Sequence, residues 1–184
     1  MTDFLFALLG AALVNNLILG LPLGADSLRQ PRGQALALAG GALIALATPV
    51  AWLLDQLVLA PLGLDSLRLF IFLPLLVSLA WGCLVLLARV RPNLSQEGLW
   101  PLLLANGAAL GAMLVGSAGG FGTALGLGIG GGLGFWLVLT LFDDLLQQVD
   151  DSRVPAPFRG TPMLLICAGL MGLAFLGFNG MGTP

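Results

Sequence analysis

Histidine, tyrosine and lysine are absent from these 184 residues, and charge of either sign is scarce. Without histidine there is no imidazole to act as a general base near neutral pH or to ligate a metal. Charged side chains make up 9% of the chain, against roughly 25% in a soluble globular domain, so the polar surface needed to stay in water is missing. Nine acids against seven arginines leave a net charge of −2 and a pI near 4.7, which excludes nucleic acid as a partner on charge grounds. The two cysteines, Cys83 and Cys167, lie in separate apolar stretches, where a lone thiol serves as a small packing residue. There is no Ser-His-Asp set, no phosphate-cradling glycine loop and no metal-ligand spacing. The residues therefore offer neither a catalytic constellation nor a metal site.

What the chain has instead is apolar length. Hydrophobic residues make up 58% of it, and the mean hydropathy is +1.02. The apolar blocks run about 20 residues, the length at which a helix spans roughly 30 Å of hydrocarbon. Polar punctuation divides them into six membrane segments, at about 3–24, 34–59, 67–88, 98–117, 120–143 and 161–181, so the lipid bilayer is the expected surroundings. The opening "MTDFLFALLG" has no basic leader region and reads as the first membrane element rather than a cleaved signal. Connections such as "DSLRQPRG" and "PLGLDS" leave no room for a soluble domain. The expected fold is a single all-α integral membrane domain over residues 1–184. Arg29, Arg32, Arg89, Arg91, Arg153 and Arg159 fall in the first, third and fifth loops, with Arg68 alone on the other side. By the positive-inside rule those loops face the cytoplasm and both termini lie outside.

Six segments divide into two sets of three, about 1–90 and 93–184, and an odd number per set makes the halves antiparallel. Segment one carries Asn15 and Asn16 and breaks at Gly20, Pro22 and Gly24, and segment four carries Asn106 followed by Gly107. Interrupted helices at matching positions of inverted repeats mark a site near the bilayer midplane. Backbone groups freed there need internal partners, and the three asparagines can supply them. The alternative is that each amide bonds a neighbouring helix. In segment five, Gly122, Gly126, Gly130 and Gly134 recur every four residues, with Gly128 and Gly132 in a second row, a ridge that admits a close helix neighbour. Asp143 and Asp144 follow, and "FDDLLQQVDD" is expected to prolong that helix briefly as a solvated end. Asp55, Asp65 and Arg68 are expected to cluster at the outer face. Pro155, Pro157, Phe158 and Arg159, in the stiff "VPAPFRG" loop, read as a docking surface for another subunit.

"VPAPFRG" (154–160) is followed by "CAGLMGLAFLGFNG" (167–180), and with "MTDFL" and "LVNNLIL" at the start these motifs resemble the A subunit of Rnf/Rsx complexes. Those are ion-translocating electron-transfer complexes, related to the sodium-pumping NADH:quinone reductase. The resemblance covers essentially the whole chain. It implies a subunit of the bacterial inner membrane with both termini periplasmic, paired antiparallel with a homologous E subunit and joined by other Rnf/Rsx subunits. It also implies an inter-subunit [2Fe–2S] cluster near the midplane, held by a cysteine from each broken helix of each partner. This chain departs from that pattern. Asp26 stands where the first ligand cysteine is expected, and Gly107 takes the place of the second, "ANG" for the family's "TNC". Clusters of this type are held by cysteine thiolates, so no cofactor is expected from this chain's own thiolates. Either the complex has lost or replaced the cluster, or the partner alone holds a cofactor with this chain as its wall. Asp26, if turned inward, would be an acid on an ion path; exposure at the interface is the other reading.

These observations point to a non-catalytic membrane subunit of a redox-driven ion translocase, framing an electron or ion path with its partner. Asn15, Asn16, Gly107 and Asp26 would line the midplane region. The competing readings are a stand-alone inverted-repeat transporter using the two broken helices as its substrate site, and a purely structural scaffold.

Overall fold

The computed structural model describes residues 4, 8–14, 33–94, 98–149 and 154–177. Among them every regular element is helical. A π turn at Gly10–Val14 precedes α1 (Gly33–Leu54), which continues through a second π turn at Asp55–Leu59 into Ala60–Leu62. Then follow α2 (Arg68–Val90), α3 (Leu99–Leu104), α4 (Gly107–Ser117), α5 (Phe121–Gln147) and α6 (Thr161–Leu176). Four stretches are long and apolar enough to cross a membrane: Gln34–Leu62, Arg68–Val90, Leu99–Ser117 and Phe121–Gln147. They fall on the second to fifth segments read from the sequence. The sixth is represented by α6, an apolar helix of 16 residues. Most of the first segment lies outside the described residues. The chain is thus an all-helical, multi-pass membrane protein.

The helices begin and end where backbone chemistry dictates. Gly63, at φ 66°, closes the first long span with a left-handed residue that only glycine adopts without strain. Gly98, at φ 72°, precedes α3 in the same left-handed conformation, and Gly160, also at positive φ (76°), precedes α6. α5 runs on past Asp143 and Asp144 to Gln147, whose side-chain amide donates to Asp143 Oδ2 at 3.5 Å.

The centre of the molecule is the pair α1 and α5, with α4 packed on α1 beside them. Just over half of the α1 and α5 spans is buried, 56% in each, against 22% of α2. α2 and α6 are therefore the outer helices. They turn Phe70, Leu73, Trp81, Leu165, Leu170 and Leu173 outward, an apolar surface that water would penalise and hydrocarbon does not.

Glycine sets how close the central pair comes. A Cβ on Gly132 would stand 2.5 Å from the Gly41 carbonyl oxygen, and one on Gly41 would stand 2.7 Å from the Gly132 carbonyl oxygen. The contact is reciprocal and runs backbone to backbone. One turn along, Pro49 sits inside α1 and cannot donate to the Ala45 carbonyl. That carbonyl lies 3.1 Å from where a Gly128 Cβ would be, so the missing side chain lets α5 cover it. A Cβ on Gly130 would overlap the Leu8 carbonyl, which brings the N-terminal segment onto α5. Gly126 and Gly134 are buried, whereas Gly122 is exposed with nothing within 4 Å of its Cβ position. The closest approach to α1 therefore comes from the second glycine row.

Gly132→Val should push α1 and α5 apart and cost about 1–3 kcal/mol or more, seen as a lowered unfolding midpoint of the detergent-purified protein. Gly122→Ala should be neutral or stabilising by up to about 1 kcal/mol in the same assay.

Candidate functional site

Asn106 interrupts the fourth segment. α3 ends at Leu104, and the Ala105 N–H donates to the Pro101 carbonyl at 3.0 Å. Asn106 then turns out of helical geometry, at φ −71° and ψ 90°, and α4 restarts at Gly107. Its side-chain oxygen accepts from the N–H groups of Ala108 at 3.1 Å and Ala109 at 3.3 Å. These are two of the four donors that a helix start leaves without partners, and Asn is among the best residues for satisfying them. The Asn106 side chain is buried, with 3% of the residue exposed, among fully buried neighbours in sequence, Leu103, Ala108 and Ala109. Its amide nitrogen Nδ2 is buried too and has no hydrogen-bond partner. Gly107 is half-buried at the first position of α4. The interruption is thus an ordered, capped helix start with one donor group left over.

A second polar feature lies at the end of the first long span. Asp55 opens the π turn, is fully buried, and accepts from Arg68 Nε at 2.6 Å through Oδ1. Its other oxygen, Oδ2, is buried without a partner. The pair ties the end of α1 to the start of α2 across the Gly63 turn. Beside it, Trp52 Nε1 donates to the Gly119 carbonyl at 2.8 Å, and the Trp52 ring meets Phe121 at 5.0 Å. Trp52 therefore holds α1 to the turn between α4 and α5. The side chain of Asp65 lies outside the described residues.

Asn15, Asn16 and Asp26 also fall outside the described residues, so of the expected midplane set only Asn106 and Gly107 are placed. Pro155, Pro157, Phe158 and Arg159 are exposed around a 3-10 turn at Ala156–Phe158, with Arg159 Nε donating back to the Val154 carbonyl at 2.8 Å. Cys83 and Cys167 are free, buried thiols on α2 and α6. Gly107 has no side-chain donor atom, Asn106 presents N–H groups rather than a thiolate, and among the described residues no three acids or thiols converge. These residues do not fit the thiolate set of an iron–sulfur cluster. An apolar groove of about 440 Å³ flanks the Gly41–Gly132 crossing between Leu38, Ile129 and Trp136; it offers room but no polar group. Sequence reasoning missed Gly41, Trp52 and the full burial of Asp55. The Gly40–Gly41 pair was the available signal for the first. Nothing in the spacing of Trp52 and Gly119, 67 residues apart, could have revealed the second.

The family model described as "Rnf-Nqr subunit, membrane protein" matches residues 5–182. The chain belongs to the Rnf-Nqr family. Among its relatives is a protein of Azotobacter vinelandii, 38% identical over 194 residues and covering all of both chains. Others are from Edwardsiella ictaluri, 36% identical, and Rhodobacter capsulatus, 35% identical, each aligned over 98% of both chains. All three relatives are named as the A subunit of an ion-translocating oxidoreductase complex. Coverage at this level runs through residues 55, 68 and 106 alike.

Asn106→Ala should remove the α4 cap and cost about 0.5–2 kcal/mol, whereas Asn106→Ser should retain most of it; unfolding midpoints in detergent measure both. Arg68→Gln leaves the buried Asp55 carboxylate without its cation and should cost about 3–5 kcal/mol. The double variant Asp55→Asn/Arg68→Gln should recover a substantial part of that loss.

Proposed function

We propose that this chain is the membrane subunit of an Rnf-type ion-translocating electron-transport complex of the bacterial inner membrane. In that complex it pairs antiparallel with a homologous E subunit and joins the other Rnf/Rsx subunits, framing a path for electrons or ions across the bilayer. The observation that carries the reading is the family match from residue 5 to 182, supported by relatives matched over 98–100% of both chains that are named as the A subunit of such a complex. Residues 154–160, proline-stiffened and exposed from Pro155 on, are the surface we assign to docking another subunit.

The reading includes six spans in two inverted repeats, with both termini periplasmic. Two features favour the repeats. The Gly41–Gly132 contact is mutual, as a two-fold axis between equivalent helices requires. Asn106 also precedes Gly132 by the same 26 residues that separate Asn15 from Gly41.

The same reading assigns no cluster ligand to this chain. Asp26 and Gly107 occupy the positions of the family's ligand cysteines, so electrons crossing the complex would pass by a group held elsewhere, with this chain as its wall. The exposed helix faces of α2 and α6 supply area for lipid or for neighbouring subunits.

Affinity purification of the tagged chain from its native membrane tests the assignment. A homologous membrane subunit and redox subunits should co-purify. Iron and acid-labile sulfide should not fall when Cys83 and Cys167 are both replaced by alanine. Recovery of the chain alone, active as a transporter in liposomes, would overturn the reading in favour of an independent carrier. A four-thiolate [2Fe–2S] signal assigned to this chain would overturn the absence of ligands.

A further inference from the structure

The two ends of α2 treat their arginines differently. At the first, Arg68 donates from Nε to the buried carboxylate of Asp55. At the other, Arg89 in the last turn and Arg91 just past it are exposed and make no ion pair among the described residues. The α2 dipole sets about half a negative charge at that end, against two positive ones. One end of the helix is therefore neutralised within the chain, and the other is left cationic.

Next to these arginines the outward face is apolar. Val85 and Trp81 precede Arg89 by four and eight residues, which puts them on its side of the helix, and both are exposed, Trp81 at 64%. Leu86 is exposed beside them. Ser78, on the same face, turns its hydroxyl back to the Leu75 carbonyl at 2.8 Å. Gly82 lies seven residues before Arg89, about 10 Å along the helix, and nothing comes within 4 Å of its Cβ position. It leaves a notch beside Val85 and Leu86. With the arginines at headgroup level, the notch and Trp81 fall within one half of a hydrocarbon core roughly 30 Å thick.

The face thus has two parts in order along one helix: two guanidinium groups, then an apolar strip with a notch. Phosphate is a preferred partner of guanidinium. A zwitterionic headgroup brings its own cation to an end already cationic, and an anionic one does not. Close helix packing in this chain runs through glycine contacts such as Gly41–Gly132. Trp81, Val85 and Leu86 instead stand out from α2, a relief that a flexible acyl chain follows better than a rigid helix does. We propose that the Arg89–Arg91 end of α2 binds an anionic phospholipid, with its phosphate on the two arginines and an acyl chain along Trp81, Gly82 and Val85. The site uses α2 alone and does not rest on which complex the chain joins.

The full-length protein, with any subunits that purify with it, is reconstituted into phosphatidylcholine vesicles. It is then titrated with phosphatidylglycerol or phosphatidylcholine carrying brominated acyl chains. Bromine quenches a tryptophan that it touches, so the quenching that Trp81→Phe removes reports lipid on α2. Half-quenching should need about fivefold less anionic lipid for each arginine, roughly 30-fold less for the two. Arg89→Gln/Arg91→Gln should abolish that preference. Excess inorganic phosphate should not displace the lipid, because half of the site is apolar. Equal quenching by the two lipids, a preference that survives the loss of both arginines, displacement by phosphate alone, or Trp81 shielded from both lipids by an acidic protein partner would each overturn the proposal. If the glutamine variant does not insert, the wild-type comparison of the two lipids decides alone.

Discussion

Two helices can meet backbone to backbone only where neither carries a side chain at the crossing. α1 and α5 do so at Gly41 and Gly132, each of which fills the space that the other's Cβ would need. In water the driving force for such packing would be hydrophobic. Between helices already in lipid, it comes from close van der Waals contact and from carbonyl groups finding complementary neighbours. The crossing brings α4 onto α1 and the N-terminal segment onto Gly130. It also leaves α2 and α6 on the outside. The glycines that would weaken a soluble helix are what make this core possible.

Against that apolar frame, the polar groups are few and individually accountable. Thr48 returns its hydroxyl to the Ile44 carbonyl at 2.9 Å, beside the proline that interrupts the α1 hydrogen-bond ladder. Asp55 is held by Arg68, and Trp52 by the Gly119 carbonyl. Each of these lies near a helix end or a helix irregularity. Asn106 differs because it creates a helix end in the middle of a span, where an unsatisfied backbone group costs most. It then satisfies two of the resulting donors itself. An asparagine followed by glycine suits both halves of that task, since the first caps and the second leaves the new helix start open.

Family membership and site chemistry point in partly different directions. The sequence match that relates this chain to its family and relatives extends essentially from end to end. Yet the residue that begins α4 is a glycine where the resemblance calls for a thiolate. Asn106 caps α4 through its own side chain, and that cap involves no side chain at the next position. The cap that orders this helix start is thus separable from the identity of the residue that follows it.

Composition and periodicity alone determined that this is a helical membrane protein, where four of its spans lie and where the one across residues 99–117 is interrupted. Those properties depend on transfer free energy and on local backbone preference, both of which are written residue by residue. "ANG" within an apolar run is enough to place a break at Asn106. Which glycine row would meet α1, that Asp55 would be wholly buried against Arg68, and that Trp52 would reach Gly119 were decided only by the tertiary structure. These contacts join residues distant in the chain, and helical spacing makes both glycine rows equally good candidates until a partner helix is set against one of them. The leftover donor on Asn106 belongs to the same class. The cap is local, but whether anything reaches its other end depends on what the whole bundle brings there.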